Sequence, residues 1–417
     1  MNLYRLELKR VCKTRMTAIL LTIALVLAVV MAYLPVTFIG WTELDASGNE
    51  VRYTGLKAIR KRQEQQVSGT ITPDVMQEAL EAYQRVYRQY DANSINDIPV
   101  EVFYKELARY QPLVNNAKEA FADPKTGMAP GVMGLTAEDM QNFYSQLPKR
   151  LESVIWLEQS EKPGYEQAQA IAQKKFDAVQ KPFTYSFGVS SDAMDYQTLL
   201  SLLLTLLCAV IAAPVFASDA QTGAQDIQLC TKNGGLRLAS AKLAAAFSIT
   251  GAAYLLCGVV WILVTNALFG WESTQTSVQW LFSVTSLLPY TVGQMEWVML
   301  VANFLLFFAE VAFVLMASVW AKNNLTALSV ALISVVAPLI VYMVVPGSFG
   351  EWLSTLLPAG GIGLSNALLY KMISFDFLYA GGHAFFQADV LLASAPIKIV
   401  LLVGLAAWGY LRKTKVA

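Results

Sequence analysis

Residues 17–39 read TAILLTIALVLAVVMAYLPVTFI and contain no charged side chain. As a helix rising 1.5 Å per residue, this run spans about 35 Å, enough to cross a hydrocarbon core of about 30 Å. Arg5, Lys9, Arg10, Lys13 and Arg15 precede it, so it invites comparison with a secretory signal. The run exceeds a typical signal h-region and no small-residue cleavage pattern follows, so a retained anchor is expected. Moving outward, five more segments have similar character: 196–217, 244–269, 295–320, 325–345 and 395–410. The last is short, with the least distinct start. The 417-residue composition agrees: 15% of residues are charged and 55% apolar, and mean hydropathy is +0.44. Soluble domains carry about 25% charge. The chain is therefore read as an all-α integral membrane protein with six transmembrane helices, and neither disordered nor a nucleic-acid binder.

Orientation follows from Lys and Arg in the short flanks. Segments 1–16, 218–243, 321–324 and 411–417 hold 12 basic residues against the acids Glu7, Asp219 and Asp226. Segment 41–195 holds 17 basic and 22 acidic residues. Only an arrangement with both termini in the cytoplasm places the positive excess there, and the net charge of zero over the chain conceals this split. The expected localisation is the plasma membrane, multi-pass, with 41–195 extracytoplasmic.

Segment 41–195 has helical signals. Thr72 and Pro73 form a cap followed by proline at the first helical position, and Val75, Ala79, Tyr83, Val86, Tyr87 and Tyr90 recur at helical spacing. Thr136 with Asp139 is a capping-box pattern that opens a helix running to Gln159, which Pro148 should bend or split. Pro163 introduces another helical stretch over 165–180. No strand pattern of useful length is visible, so an extracellular helical domain of about 150 residues is expected. It serves as a lid, a receiving chamber or a docking site, or else as a spacer whose tyrosines form its core. Cys12, Cys208, Cys230 and Cys257 show no CxxC spacing and lie in or beside apolar runs, as small buried hydrophobes do. The single histidine, His383, is expected to be structural.

No GxxxxGK[ST], HExxH or GxSxG motif occurs, so no enzyme chemistry is expected of this chain. The informative loop is 218–243, SDAQTGAQDIQLCTKNGGLRLASAKL, in which a helix over 223–231 should end at Asn233–Gly234–Gly235. A short helix lying between two spans is suited to move both.

This loop resembles the coupling loop of the type-2 ABC exporter permeases. Asp219, Gly223, residues 227–229, Arg237 and Lys242 stand where that family carries an acid, a glycine, an apolar stretch, an arginine and a lysine. Aspartate replaces the commoner glutamate, and Thr231–Lys232–Asn233 lacks the frequent proline. Residues 2–15 resemble the family's N-terminal interfacial helix, with Tyr4, Leu8, Val11 and Cys12 as an apolar stripe beside Arg5, Lys9 and Lys13. Segment 356–369, LLPAGGIGLSNALL, is similar to the family's proline-containing outer segment between the last two spans. Segment 41–195 lies outside the likeness, although inserts there occur in one branch of the family.

The resemblance implies a half-transporter: residues 1–16 as a cytoplasmic interfacial helix, 17–39 as the first transmembrane helix, and 196–417 as helices two to six. A second copy or a related permease would complete it. Cytoplasmic ABC ATPase subunits would bind Mg-ATP, with no cofactor on this chain, and would touch Arg5, Lys9, Asp219, Gly223, Asp226, Arg237 and Lys242. Export of a peptide, antimicrobial, lipid-like molecule or ion is implied. The alternative is a complex that relays a mechanical signal through the external domain without transport.

Ionisable residues within spans are candidates for function by default. Glu296, Asn303 and Glu310 are spaced at sevens along the fourth span and so share one helix face. They read either as the lining of a polar pathway or as hydrogen-bonding contacts between helices. Trp280, Trp297 and Trp352 are expected as membrane-interface anchors.

Overall fold

A computed structural model describes residues 3–45 and 49–414. Met1, Asn2 and the C-terminal Lys415, which entered the charge count and the terminal segments above, lie outside them. The protein is mostly helical, with six helices long and apolar enough to cross a membrane: Arg15–Phe38, Ser191–Gln221, Leu236–Phe269, Val292–Trp320, Asn324–Val344 and Gln387–Lys413. A separate helix, Leu3–Cys12, precedes the first.

Three spans are longer than their apolar runs. The third begins at Leu236, directly after Gly234–Gly235, so Arg237 and Lys242 lie on the helix itself. The sixth begins at Gln387, eight residues before the expected 395, because its first turn is polar. The second contains a break: Ser191–Ala212 ends and a new segment, Pro214–Gln221, begins with Pro214 in the first turn. Proline removes an amide donor and collides with the preceding turn, so nearby backbone groups need other partners. Ser318 on the fourth span supplies them. Its hydroxyl accepts from the amides of Phe216 and Ala217, both at 3.0 Å, and donates to the Ala213 carbonyl at 2.6 Å.

The fourth span is the centre of the bundle, with 67% of its most apolar window buried, against 17–61% in the others. Trp297 and Trp320 are exposed near its two ends. Their separation of 23 positions covers about 35 Å, the spacing expected of two interfacial belts.

The insert between the first two spans departs from an all-α expectation. Gly40–Leu44 pairs antiparallel with Glu50–Thr54, and Gly69–Thr70 pairs with Thr184–Tyr185. A third antiparallel pair, the hairpin Phe377–Ala380 with His383–Phe386, lies between the last two spans. These strands are two to five residues long, too short to impose a readable alternation. The helix Pro73–Gln89 forms as expected, with the Thr72 hydroxyl accepting from the Val75 amide. Ala79, Tyr83, Val86 and Tyr87 are buried in the insert core, while Val75 is half-buried and Tyr90 exposed. The capping box at Thr136 forms, but the helix breaks at Asn142 and the following helix, Phe143–Gln159, runs through Pro148. The stretch after Pro163 forms as Tyr165–Phe176.

The insert is bonded to the other connections at its end of the bundle. Thr184 and Ser277 exchange backbone and side-chain hydrogen bonds. Glu119 accepts from the Ser283 hydroxyl at 2.5 Å, and Gln159 bonds the Phe375 carbonyl and the Tyr379 hydroxyl. Trp280, expected at a membrane interface, instead joins an aromatic cluster with Phe143, Phe183 and Tyr185 at centroid distances of 6.0–6.5 Å. Trp352 donates to the Tyr379 carbonyl at 3.0 Å. His383 faces Gln167 at 3.3 Å, a bond that joins the last hairpin to the insert.

Candidate functional site

Asp219 is the centre of a charge network at the end of the bundle remote from the insert. It is buried, near the end of the second span. The Arg10 guanidinium donates to both of its carboxylate oxygens, at 2.8 and 3.1 Å, and to the Val215 carbonyl at 3.0 Å. Lys242, whose side chain is fully buried on the third span, donates to the same carboxylate. The Lys242 ammonium also donates to Gln228 of the short helix at 3.1 Å and lies 5.5 Å from the Phe216 ring. Glu7 completes the set with an ion pair to Arg10 at 2.9 Å. One carboxylate and the lysine it binds thus tie together the N-terminal helix, the second span, the short loop helix and the third span.

Local sequence explains this convergence. Gly223 adopts φ +72°, which turns the chain from Gln221 into the short helix Ala224–Leu229. A side chain disfavours that left-handed conformation. The Asn233–Gly234–Gly235 turn then redirects the chain into the third span, with Asn233 accepting from Arg237 at 3.3 Å. The loop helix leaves Ile227 74% exposed, a large apolar side chain at the tip of a polar loop.

Of the residues expected at an ATPase contact, Asp219 and Lys242 converge on this network. Arg5 and Lys9 do not; both are exposed on another face of the N-terminal helix. Asp226 is exposed and lines a cavity of about 560 Å³ with Trp320, Arg412 and Lys413. Arg10 and Glu7 were missed. Their signal was their spacing: three residues apart, they share a helix face offset from the Arg5, Lys9 and Lys13 stripe.

The polar stripe on the fourth span is enclosed. Glu296 and Glu310 have no exposed surface and Asn303 has 4%. Glu296 accepts from the Asn266 amide of the third span at 2.6 Å, and its backbone carbonyl accepts from Gln197 of the second span at 2.9 Å. Glu310 accepts from the Ser334 hydroxyl of the fifth span. Each carboxylate keeps one buried oxygen without a hydrogen-bond partner. Although they share a sequence face, the two acids address different neighbours, because they lie 14 residues apart, about 21 Å of helix rise, and the helix beside that face changes with depth. Lys398 of the sixth span caps the helix Gly347–Leu356 by donating to the Thr355 and Leu357 carbonyls at 3.0 and 2.9 Å. Gln197, Asn266, Ser334 and Lys398 were not legible as partners, since each is a single polar residue in or beside an apolar run.

At the level the fold and site define, this is a multi-pass helical protein with a charged junction at one end of its bundle. Comparison with known protein families and with curated proteins found no match.

Proposed function

We propose that this chain is the permease subunit of an ATP-driven exporter, working with separate cytoplasmic ATPase subunits and a second permease. The Asp219 network carries the reading. It binds a short helix and an N-terminal helix to the second and third spans, so force on either helix reaches both spans. Exposed Ile227 gives a partner an apolar anchor on that helix. The break at Ala213–Pro214, held by Ser318 of the fourth span, extends the connection to the bundle centre. In this reading the junction end is cytoplasmic, the insert is extracytoplasmic, and ATP with magnesium resides on the partner. The cargo is a peptide, antimicrobial, lipid-like molecule or ion.

The test is reconstitution. The purified chain alone should hydrolyse no ATP above background. Ile227→Asp should abolish coupled hydrolysis in the assembled complex while leaving the thermal transition of the isolated chain unchanged. Hydrolysis by the chain alone, or normal coupling in that variant, overturns the reading. A relay without transport is favoured by one observation, the dense bonding of the insert to the other connections at its end. ATP-dependent protease protection of the insert without cargo movement would select it.

A further inference from the structure

Two donors lack acceptors beside one cavity in the insert. Trp41 is 5% exposed and its indole N–H is buried without a partner; the buried Nε–H of Arg62 also has none. Both side chains line a cavity of about 580 Å³, together with Arg52, Tyr104, Gln111 and Glu50. Among the described residues no carboxylate pairs with Arg62 or Arg52. The Arg62 guanidinium lies 4.2 Å from the Phe187 ring and 6.0 Å from that of Trp41. Burial holds it below the ordinary value for arginine.

The missing group is therefore an acceptor. Arginine and indole N–H groups only donate, and buried donors left unpaired are costly. A guanidinium held against aromatic faces presents a planar fork that matches a carboxylate. The rings of Trp41 and Tyr104 meet edge to face at 6.0 Å and offer apolar surface beside that charge. Glu50 on the rim disfavours a dianion. We propose that this cavity binds the carboxylate of an amphipathic monoanion, such as the C-terminal residue of an apolar peptide. Free acids and peptide ends share this chemistry.

The position gives such binding a consequence. Trp41 lies three residues beyond the first span, and Phe187 lies just before the second. Gln63, next to Arg62, donates to the Phe187 carbonyl at 3.2 Å and to the Phe269 carbonyl, at the end of the third span, at 2.6 Å. A ligand here touches Trp41, beside the first span, and Arg62, which lies against Phe187 before the second; the link to the third span runs through Gln63, outside the cavity. The site rests on the insert's own residues and does not depend on the export reading.

The experiment is calorimetry on the full chain in nanodiscs with N-acetyl-phenylalanine, its uncharged amide and inorganic phosphate. The acid should bind, with the amide at least tenfold weaker and phosphate weaker still. Arg62→Gln should reduce acid binding at least tenfold, and Trp41→Phe, which keeps the ring and removes the N–H, several-fold. Should Arg62→Gln fail to fold, Arg62→Lys keeps the charge without the fork and should still bind more weakly. A peptide acid and a free acid are distinguished by N-acetyl-Leu-Phe, which should bind more tightly than N-acetyl-phenylalanine if peptide ends are the ligand and no better if free acids are. Equal binding of acid and amide, no binding of acid, tighter binding of phosphate, or undiminished binding in both Arg62→Lys and Trp41→Phe overturns the proposal.

Discussion

Asp219 and the two acids of the fourth span are all carboxylates enclosed by helices, yet they are compensated differently. Asp219 meets two cations, Arg10 and Lys242, drawn from separate helices. Glu296 and Glu310 each accept from one neutral donor, Asn266 and Ser334, and keep an oxygen without a partner. Among the described residues the only cation acting on them is Lys398, which meets Glu310 through space without a hydrogen bond. A buried charge is tolerated when paired and hydrogen-bonded, and is expensive otherwise. Asp219 therefore belongs to a fixed joint whose loss is disruptive. The fourth-span acids sit where a neutral group of the same shape would do nearly as well, unless their charge is used for something other than packing.

The sharpest way to break this contrast is Asp219→Asn. That change keeps the hydrogen-bonding shape and leaves Lys242, with no exposed side-chain surface, without a charged partner in contact, only the more distant Glu7 opposing its charge. Removing one partner of a buried pair costs about 3–5 kcal/mol. Thermal unfolding in detergent should show a large loss, and Lys242→Met in the same background should restore most of it. A variant that melts like the parent would mean that the junction is not a joint.

Ser318→Ala should have the next effect. Its hydroxyl satisfies two amides and a carbonyl at the Ala213–Pro214 break, and buried polar groups left unpaired cost about 1–3 kcal/mol. Unfolding measurements should place this variant between Asp219→Asn and the parent. Accelerated hydrogen exchange at Phe216 and Ala217, with other spans unchanged, would locate the loss. Uniform protection would show that the break satisfies itself.

How far these features were legible depends on the signal each one leaves. Long apolar runs such as 17–39 announce a helix because about twenty residues must agree in character. Short strands such as Gly69–Thr70 leave no periodicity, and their pairing with Thr184–Tyr185 depends on residues more than a hundred positions away. Asp219, Gly223 and Lys242 were singled out by the resemblance of loop 218–243 to a coupling loop, not by any periodicity of their own, and Lys242 lies within the third span rather than at a turn. Arg10 was hidden among four neighbouring basic residues, and only its spacing from Glu7 sets it apart in the sequence from Arg5 and Lys9. Trp280 shows the reverse error: a tryptophan next to a span suggests an interface anchor, but the insert folds over it.

The smallest effect should come from the fourth span, and it sharpens the comparison most. Glu310 lies 18 residues past Val292, about 27 Å along the helix, at a depth where an ionised carboxylate costs roughly 3 kcal/mol on insertion scales. Glu310→Gln keeps an acceptor for Ser334 and removes the capacity for charge; Glu296→Gln does the same beside Asn266. If these residues serve only as contacts between helices, each variant should unfold within about 1 kcal/mol of the parent, the scale of a single interhelical hydrogen bond. Transport or ATP-coupled activity should then be unchanged as well. If stability is kept while coupled activity falls at least tenfold, the charge itself is used, and the stripe through Asn303 belongs to a pathway. A loss of stability comparable to that of Asp219→Asn would erase the distinction between the two regions, because it would require an ionised carboxylate with a partner as strong as Arg10.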